Sequence, residues 1–71
     1  MTWNYRVVKR TGYLAIHEVY YNDDKSIYAM SEESIEPYAD DIKDLRTDLK
    51  WMLKATRKPI LDYDMKFAEY K

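Results

Sequence analysis

His17 and Glu18 are the one place in the chain where an imidazole stands beside a carboxylate, the pairing with which a general base or a metal site would begin. A metal site needs three or four converging ligands, and the sequence supplies no cysteine and no second histidine to complete one. In a strand, adjacent residues point to opposite faces, so the two side chains would not act on one substrate. We therefore interpret His17 as a structural or surface residue and predict no metal site.

The other known patterns of catalysis are missing from the sequence. There is no G-x-S-x-G or S-x-x-K motif to activate a serine or lysine nucleophile, and the single glycine excludes a glycine-rich phosphate loop. These observations predict that the protein is not an enzyme. They predict no catalytic residue, no cofactor and no small-molecule substrate.

The composition describes one small folded domain. The 71 residues are 46% hydrophobic and 35% charged, which is too apolar for a disordered chain. The absence of cysteine excludes disulfides and fits a reducing compartment. No run approaches the roughly 20 apolar residues that span a bilayer, and the first residues do not resemble a signal peptide. We expect a cytoplasmic protein that does not bind membranes.

Three strands are predicted from the first 30 residues. Residues 3–10 and 13–21 alternate and are rich in aromatic and β-branched side chains, and Gly12 suits a two-residue hairpin loop between them. This loop pairs Val7 with Ile16, Tyr5 with Glu18 and Trp3 with Tyr20 on a face that we interpret as the core. A polar turn at 22–25 leads to a third strand at 26–30. It places Ile27 and Ala29 on the core face and Tyr28 and Met30 on the other, unless a bulge reverses the strand.

One helix is predicted after an acidic connector at 31–39. Asp41 is a candidate N-cap with Asp44 at the third helical position, and Pro59 marks the stop. Apolar residues then form a stripe at three- and four-residue spacing: Ile42, Leu45, Leu49, Met52 and Leu53. The predicted fold is α+β, a three-stranded antiparallel meander followed by one helix packed on one sheet face. Residues 1–62 form this β-β-β-α domain, and residues 63–71 are a tail that is docked or frayed.

Three sequence blocks resemble, as a set, a family of short bacterial proteins with no assigned function. The blocks are W-N-Y-R-V-V at 3–8, A-I-H-E-V-Y-Y at 15–21 and D-L-K-W-M-L-K-A-T-R-K-P-I-L-D at 48–62. Members of that family tend to have Gly in the second turn, where this chain has Asp24 and Lys25, and Trp near the position of Met30. The resemblance implies no catalytic residue.

An association surface is predicted on the outer face of the sheet. The second strand is apolar or aromatic on both sides, and a single helix covers one face only. A protein partner, a second copy of the chain or the C-terminal tail must therefore cover the other face. Trp51 lies opposite the helical stripe, where it would serve as a contact anchor or pack over lysine stems. The candidate interaction residues are Arg6, Val8, Tyr13, His17, Val19, Tyr28 and Trp51.

These features predict a small protein-binding or regulatory module that binds another protein or itself. The alternative is a nucleic-acid-associated module of the HicB-like antitoxin type, because HicB-like domains share the β-β-β-α order and the first hairpin is basic and aromatic. Only three cations cluster in that hairpin, and the net charge is −1. The acidic run is pronounced, with ten acids and three bases between residues 18 and 48. We interpret it as a solvated connector and helix N-terminus.

Overall fold

A long hairpin organises the fold in the computed structural model, which describes residues 2–65, 68 and 69. Strands β1 (Thr2–Arg10) and β2 (Tyr13–Tyr21) pair antiparallel along their whole length. Gly12 occupies the loop with a φ of 84°, a left-handed conformation that only glycine adopts without cost. The predicted register is confirmed, with Tyr5 opposite Glu18 and Val7 opposite Ile16.

Strand β3 (Ile27–Met30) pairs with β2 through a bulge, which makes part of the predicted register wrong. Ala29 lies opposite Tyr20, on the face that we predicted for it, but Ile27 lies opposite Tyr21, so Tyr28 is the extra residue. The bulge turns Ile27 toward the face opposite to the one we predicted. There it packs against the buried core.

The turn before β3 is built from side-chain hydrogen bonds rather than from glycine. Asp24 Oδ1 accepts from the backbone N–H of Ser26 at 2.9 Å and from its hydroxyl at 2.6 Å. Lys25 adopts a φ of 71°, which costs an L-residue with a side chain about 1–2 kcal/mol. The Asx-type turn therefore holds the backbone in a conformation that Lys25 does not favour by itself.

Helix α1 (Ile42–Ala55) begins where the sequence predicted. Asp41 has an extended backbone, and its side chain accepts a hydrogen bond of 2.8 Å from the backbone N–H of Asp44. At the other end, the Thr56 hydroxyl donates to the Leu53 carbonyl at 2.6 Å, which satisfies one of the exposed carbonyls of the last turn. A side chain thus satisfies one backbone group at each end of the helix.

Two short strands follow the helix and correct the predicted sheet. Strand β4 (Leu61–Asp62) pairs parallel with β1, and β5 (Ala68–Glu69) pairs antiparallel with β4. The α+β class is right, but the described residues form a mixed five-stranded sheet in the order β3-β2-β1-β4-β5, not a three-stranded meander. Ala68 and Glu69, in the predicted tail, are therefore docked, whereas positions 66, 67, 70 and 71 lie outside the described residues.

The helix packs on the face of the sheet that carries Trp3, Tyr5 and Val7, which we call the helix face. Met52 and Ala55 are the buried helical residues. The predicted stripe is only partly right, because Leu49 is 46% exposed and Leu53 is 57% exposed. The helix turns Met52 to the sheet and leaves one flank of the stripe in solvent.

The opposite face holds the centre of the core. Val8, Val19 and Leu61 are buried there. Four partly buried residues pack around them: Tyr21, Ile27, Met30 and Tyr63. Strand β3 and the segment after the helix thus cover the sheet face for which we expected a partner, a second copy or the tail as cover. Tyr63, the first residue of the predicted tail, is part of that cover. Within residues 2–65, 68 and 69, no helix has the length and apolar character to cross a membrane.

Candidate functional site

The seven candidate interaction residues do not share one surface. Val8, His17 and Val19 have no exposed area and lie within the protein's own core, where no partner reaches them in this conformation. Tyr13 and Tyr28 are exposed, the first at the hairpin loop and the second at the bulge. At Val8, His17 and Val19 the outer sheet face is therefore internal to the fold.

His17 is held between a carbonyl and a guanidinium. Its Nδ1 lies 3.0 Å from the Ser31 carbonyl oxygen, and its Nε2 lies 3.4 Å from a terminal nitrogen of Arg10. Because a guanidinium only donates, Nε2 accepts and the proton of the neutral ring lies on Nδ1. Burial is the main cause that lowers the pKa of His17 below 6.5, and Arg10 lowers it further, while the Ser31 hydrogen bond opposes both. This geometry suits a structural histidine, not a general base that meets a substrate.

Arg6 and Arg10, two of the three cations of the hairpin, contact other residues of the chain. Arg6 donates to the Tyr21 hydroxyl at 3.1 Å and to the Pro59 carbonyl at 2.6 Å. Arg10 donates to the Glu32 carbonyl at 3.0 Å and stacks 4.0 Å from the ring centroid of Tyr63. Both guanidinium groups fix the segments that cover the opposite face of the sheet. They do not form the solvent-facing row of cations that would track a phosphate backbone.

Trp51 is exposed as predicted, and it forms one wall of a cleft. A hollow of about 350 Å³ is lined by Trp51 of α1 and by Trp3, Asn4 and Tyr5 of β1. Each tryptophan is 54% exposed. Lys54 Nζ lies 4.9 Å from the ring centroid of Trp51, within the range of a cation–π contact. We call this hollow the tryptophan cleft.

The walls of the tryptophan cleft are joined at Tyr5. Its hydroxyl donates a hydrogen bond of 2.5 Å to Asp48 Oδ1 on the helix, and its ring meets that of Trp3 edge to face at 5.3 Å. Burial, the hydrogen bond to Asp48 and its negative charge raise the pKa of Tyr5 to about 12. The charge of Glu18 adds to this shift. The phenol therefore stays protonated and continues to donate to the helix.

An acidic hollow adjoins the tryptophan cleft along the helix. Trp51 and Asp48 line it together with Asp40, Asp44 and the exposed ring of Tyr38. The predicted acidic run thus places three carboxylates beside the exposed indole. Lys50 and Lys54 line a separate hollow that also borders Trp51. The surface around this tryptophan is consequently polarised, with anionic and cationic borders.

Two other hollows offer fewer side-chain groups for binding a ligand. One is apolar and lies between the helix end and the hairpin, where Leu14, Ile16 and Thr56 are among its lining residues. The other is lined by Arg10, Tyr13 and the connector carboxylates, but Arg10 is already bonded there to the Glu32 carbonyl. Across the part of the chain that the structure describes, no three carboxylate or histidine side chains converge to hold a metal ion.

Sequence reasoning found Trp51 but missed the cleft's other wall. The alternation of β1 grouped Trp3 with Tyr5 and Val7, which we interpreted as core. Helix α1 does not bury Trp3, so its indole stays half in solvent opposite Trp51. Only the placement of the helix on the sheet reveals this pairing.

Comparison with protein-family models, with curated proteins and with solved structures gave no match to this chain.

Proposed function

We propose that this chain is a protein-binding module whose binding site is the tryptophan cleft. The observation that carries the proposal is the pairing of Trp3 and Trp51, two half-exposed indoles from different elements that line one hollow. Tryptophan dominates the energetics of protein interfaces because it offers a large apolar area with little side-chain entropy to lose. An exposed cluster of this type is uncommon on a protein surface that has no partner.

The cleft also has the rigidity that a recognition site needs. The Tyr5 hydrogen bond to Asp48 joins β1 to the helix, and Lys54 lies in cation–π contact with the Trp51 ring. Binding a partner side chain between fixed walls costs less conformational entropy than ordering a loose surface. These contacts support recognition of a polypeptide, and Arg6 and Arg10, which contact other residues of the chain, give no comparable support to nucleic-acid binding.

A peptide-display selection on the immobilised chain tests this function. The selected peptides should bind at least about tenfold more weakly to Trp3→Ala and to Trp51→Ala, the loss typical of an interface hot spot. Tyr28→Ala is the matched control, since it removes an exposed aromatic ring outside the cleft. Circular dichroism would confirm that all three variants are folded.

Two results would count against the proposal. One is a set of selected peptides whose affinity is the same for the parent and for both tryptophan variants. The other is the absence of any peptide binder together with salt-sensitive binding of labelled single-stranded RNA or DNA, which would favour the nucleic-acid-associated alternative.

A further inference from the structure

Strand β1 has an open edge beside the tryptophan cleft. On one side β1 pairs with β2 along its whole length, whereas on the other side β4 covers only Val8 and Lys9. Within residues 2–65, 68 and 69, no strand pairs with the edge of β1 at Trp3 and Tyr5. An unpaired edge of this kind is a template for another strand.

The hydrogen-bond pattern of the hairpin shows which backbone groups are open. Arg10 and Tyr13 flank the two-residue loop and exchange hydrogen bonds with each other, and bonded pairs then recur at every second residue. The even-numbered residues of β1 therefore bond to β2, and the odd-numbered residues direct N–H and C=O away from it. Consistent with this, the Lys9 carbonyl accepts from Tyr63 N–H, on the β4 side, at 3.1 Å. Trp3 and Tyr5 direct their backbone groups toward the open edge.

The same two residues supply the side chains of the cleft. Trp3 and Tyr5 line it from β1, together with Asn4, which lies between them in the strand. A segment bound along the edge would thus meet unpaired ladder groups and the space between the indoles at once. Alternate side chains of that segment would point into the cleft, because side chains alternate along a strand.

We infer that the tryptophan cleft takes an extended peptide segment of the partner, which adds to β1 as a further strand of the sheet. This inference rests on the proposed function and specifies its mode. The segment carries an apolar side chain between Trp3 and Trp51. Two residues along, on the same side of the segment, it carries a lysine or arginine.

Charge complementarity assigns the basic residue. Asp40, Asp44 and Asp48 line the hollow that adjoins the cleft at Trp51. A cation on the cleft side of the bound segment lies within reach of these carboxylates, and charges of this sign also raise the rate of encounter. An acidic side chain at the same position would be repelled by these groups, since Lys50 and Lys54 line a separate hollow on another border of Trp51.

Selective N-methylation tests this mode with acetyl-Thr-Leu-Thr-Lys-Thr-amide as the probe and tryptophan fluorescence as the readout. One derivative is N-methylated on Leu and Lys, and the other on the second and third threonines. Only one of these alternate sets directs its N–H groups to β1, so one derivative should bind at least about tenfold more weakly than the parent peptide and the other nearly as well. Weaker binding of the derivative methylated on Leu and Lys indicates antiparallel addition. Weaker binding of the derivative methylated on the two threonines indicates parallel addition. A probe with Glu in place of Lys should also bind more weakly.

Equal binding by the two methylated derivatives, or no saturable binding of the parent peptide, would overturn strand addition. Neither result decides the proposed function, which the display experiment tests. The affinity of displayed peptides can depend on both tryptophans even if the peptides do not pair with the strand edge. Conversely, a failure of tryptophan dependence alongside an alternate methylation effect would retain the edge and reject the cleft. The two experiments can therefore reject the proposed function and the strand addition independently of each other.

Discussion

The hydroxyl of Tyr5 donates a 2.5 Å hydrogen bond to Asp48 Oδ1, and this contact joins the middle of β1 to the middle of helix α1. The two residues are 43 positions apart in the chain. Because the acceptor is a carboxylate in a half-buried position, the bond belongs to the stronger, charge-assisted class. It fixes the helix above the strand that carries one wall of the tryptophan cleft.

We predict that Tyr5→Phe lowers the free energy of unfolding by about 1–3 kcal/mol, because Asp48 loses its donor while it stays partly desolvated. Tyr20→Phe is the matched control. It removes a 2.7 Å hydrogen bond to Glu18, but burial is not the main cause of the raised pKa of Tyr20, so we expect a smaller loss. Urea unfolding of the two variants measures both effects, and equal losses would contradict the special role of Tyr5.

The raised pKa of Tyr5 predicts a loss of stability in alkali. The phenol ionises near pH 10.0 in the unfolded chain but only at about 12 in the folded protein. Below pH 10 the contribution of Tyr5 is complete, and it is lost as the pH rises from 10 to 12, because the unfolded state releases its proton first. The stability difference between the parent and Tyr5→Phe should therefore shrink over this interval. A constant difference would contradict the assignment.

His17 predicts a second pH dependence, at the acidic side of neutrality. Its pKa is lowered from 6.5 in the folded protein, chiefly by burial, so folding favours the neutral ring. The stabilisation is complete above pH 6.5 and is lost as the pH falls below it, because the unfolded chain takes up the proton first. As the chain has a single histidine, NMR titration of its ring protons gives this pKa without ambiguity. A measured pKa at or above 6.5 would contradict the buried arrangement between Ser31 and Arg10.

The orientation of the helix predicts unequal effects at two adjacent residues. Met52 is 8% exposed, and Met52→Ala should cost about 2–5 kcal/mol through lost burial and the cavity left behind. Leu53 is 57% exposed, and Leu53→Ala should cost less than about 1 kcal/mol. Denaturant midpoints of the two variants decide this directly. The opposite order would mean that the helix presents the other flank to the sheet.

Lys25 and Gly12 both have a left-handed backbone, and substitutions at these two positions should change the free energy of unfolding in opposite directions. Lys25→Gly should raise the free energy of unfolding by about 0.5–1 kcal/mol, because glycine adopts a φ of 71° without the steric cost that lysine bears. Gly12→Ala should lower it by about 1 kcal/mol through backbone strain alone, since an added Cβ would meet no atom within 4 Å. Thermal melts of both variants test the pair. A stabilised Gly12→Ala variant would show that the loop does not need the left-handed conformation.

The parts of the fold that could be predicted are those set by neighbours in sequence. Gly12 and the alternation on either side of it determine the β1–β2 register, and Asp41 with Asp44 determines where the helix begins. The bulge at Tyr28 could not be predicted, because one extra residue leaves no mark in a strand of only four residues. Strands β4 and β5 have two residues each, too few to show a period.

Only one residue of the candidate site, Trp51, could be predicted from the sequence, and the arrangement of the site could not. The helical period alone shows that Trp51 lies away from the apolar stripe. The placement of the helix on the hairpin determines that Trp3 lies opposite Trp51. The placement of β4 determines that the edge of β1 at Trp3 and Tyr5 stays open. The predicted apolar stripe is wrong at Leu49 and Leu53, because the helix packs along β1 and leaves the flank with these two residues exposed.

The parallel pairing of β4 with β1 also sets an order of assembly. The hairpin is a local structure that closes on the microsecond scale, whereas the Arg6 to Pro59 hydrogen bond beside β4 joins residues 53 positions apart. Such distant pairing needs a large loop to close before it gains any contact, which slows folding. On the ribosome, β1 and β2 emerge before Leu61 because they precede it in the sequence. Val8 therefore stays without its contact to Leu61 until the helix has been synthesised.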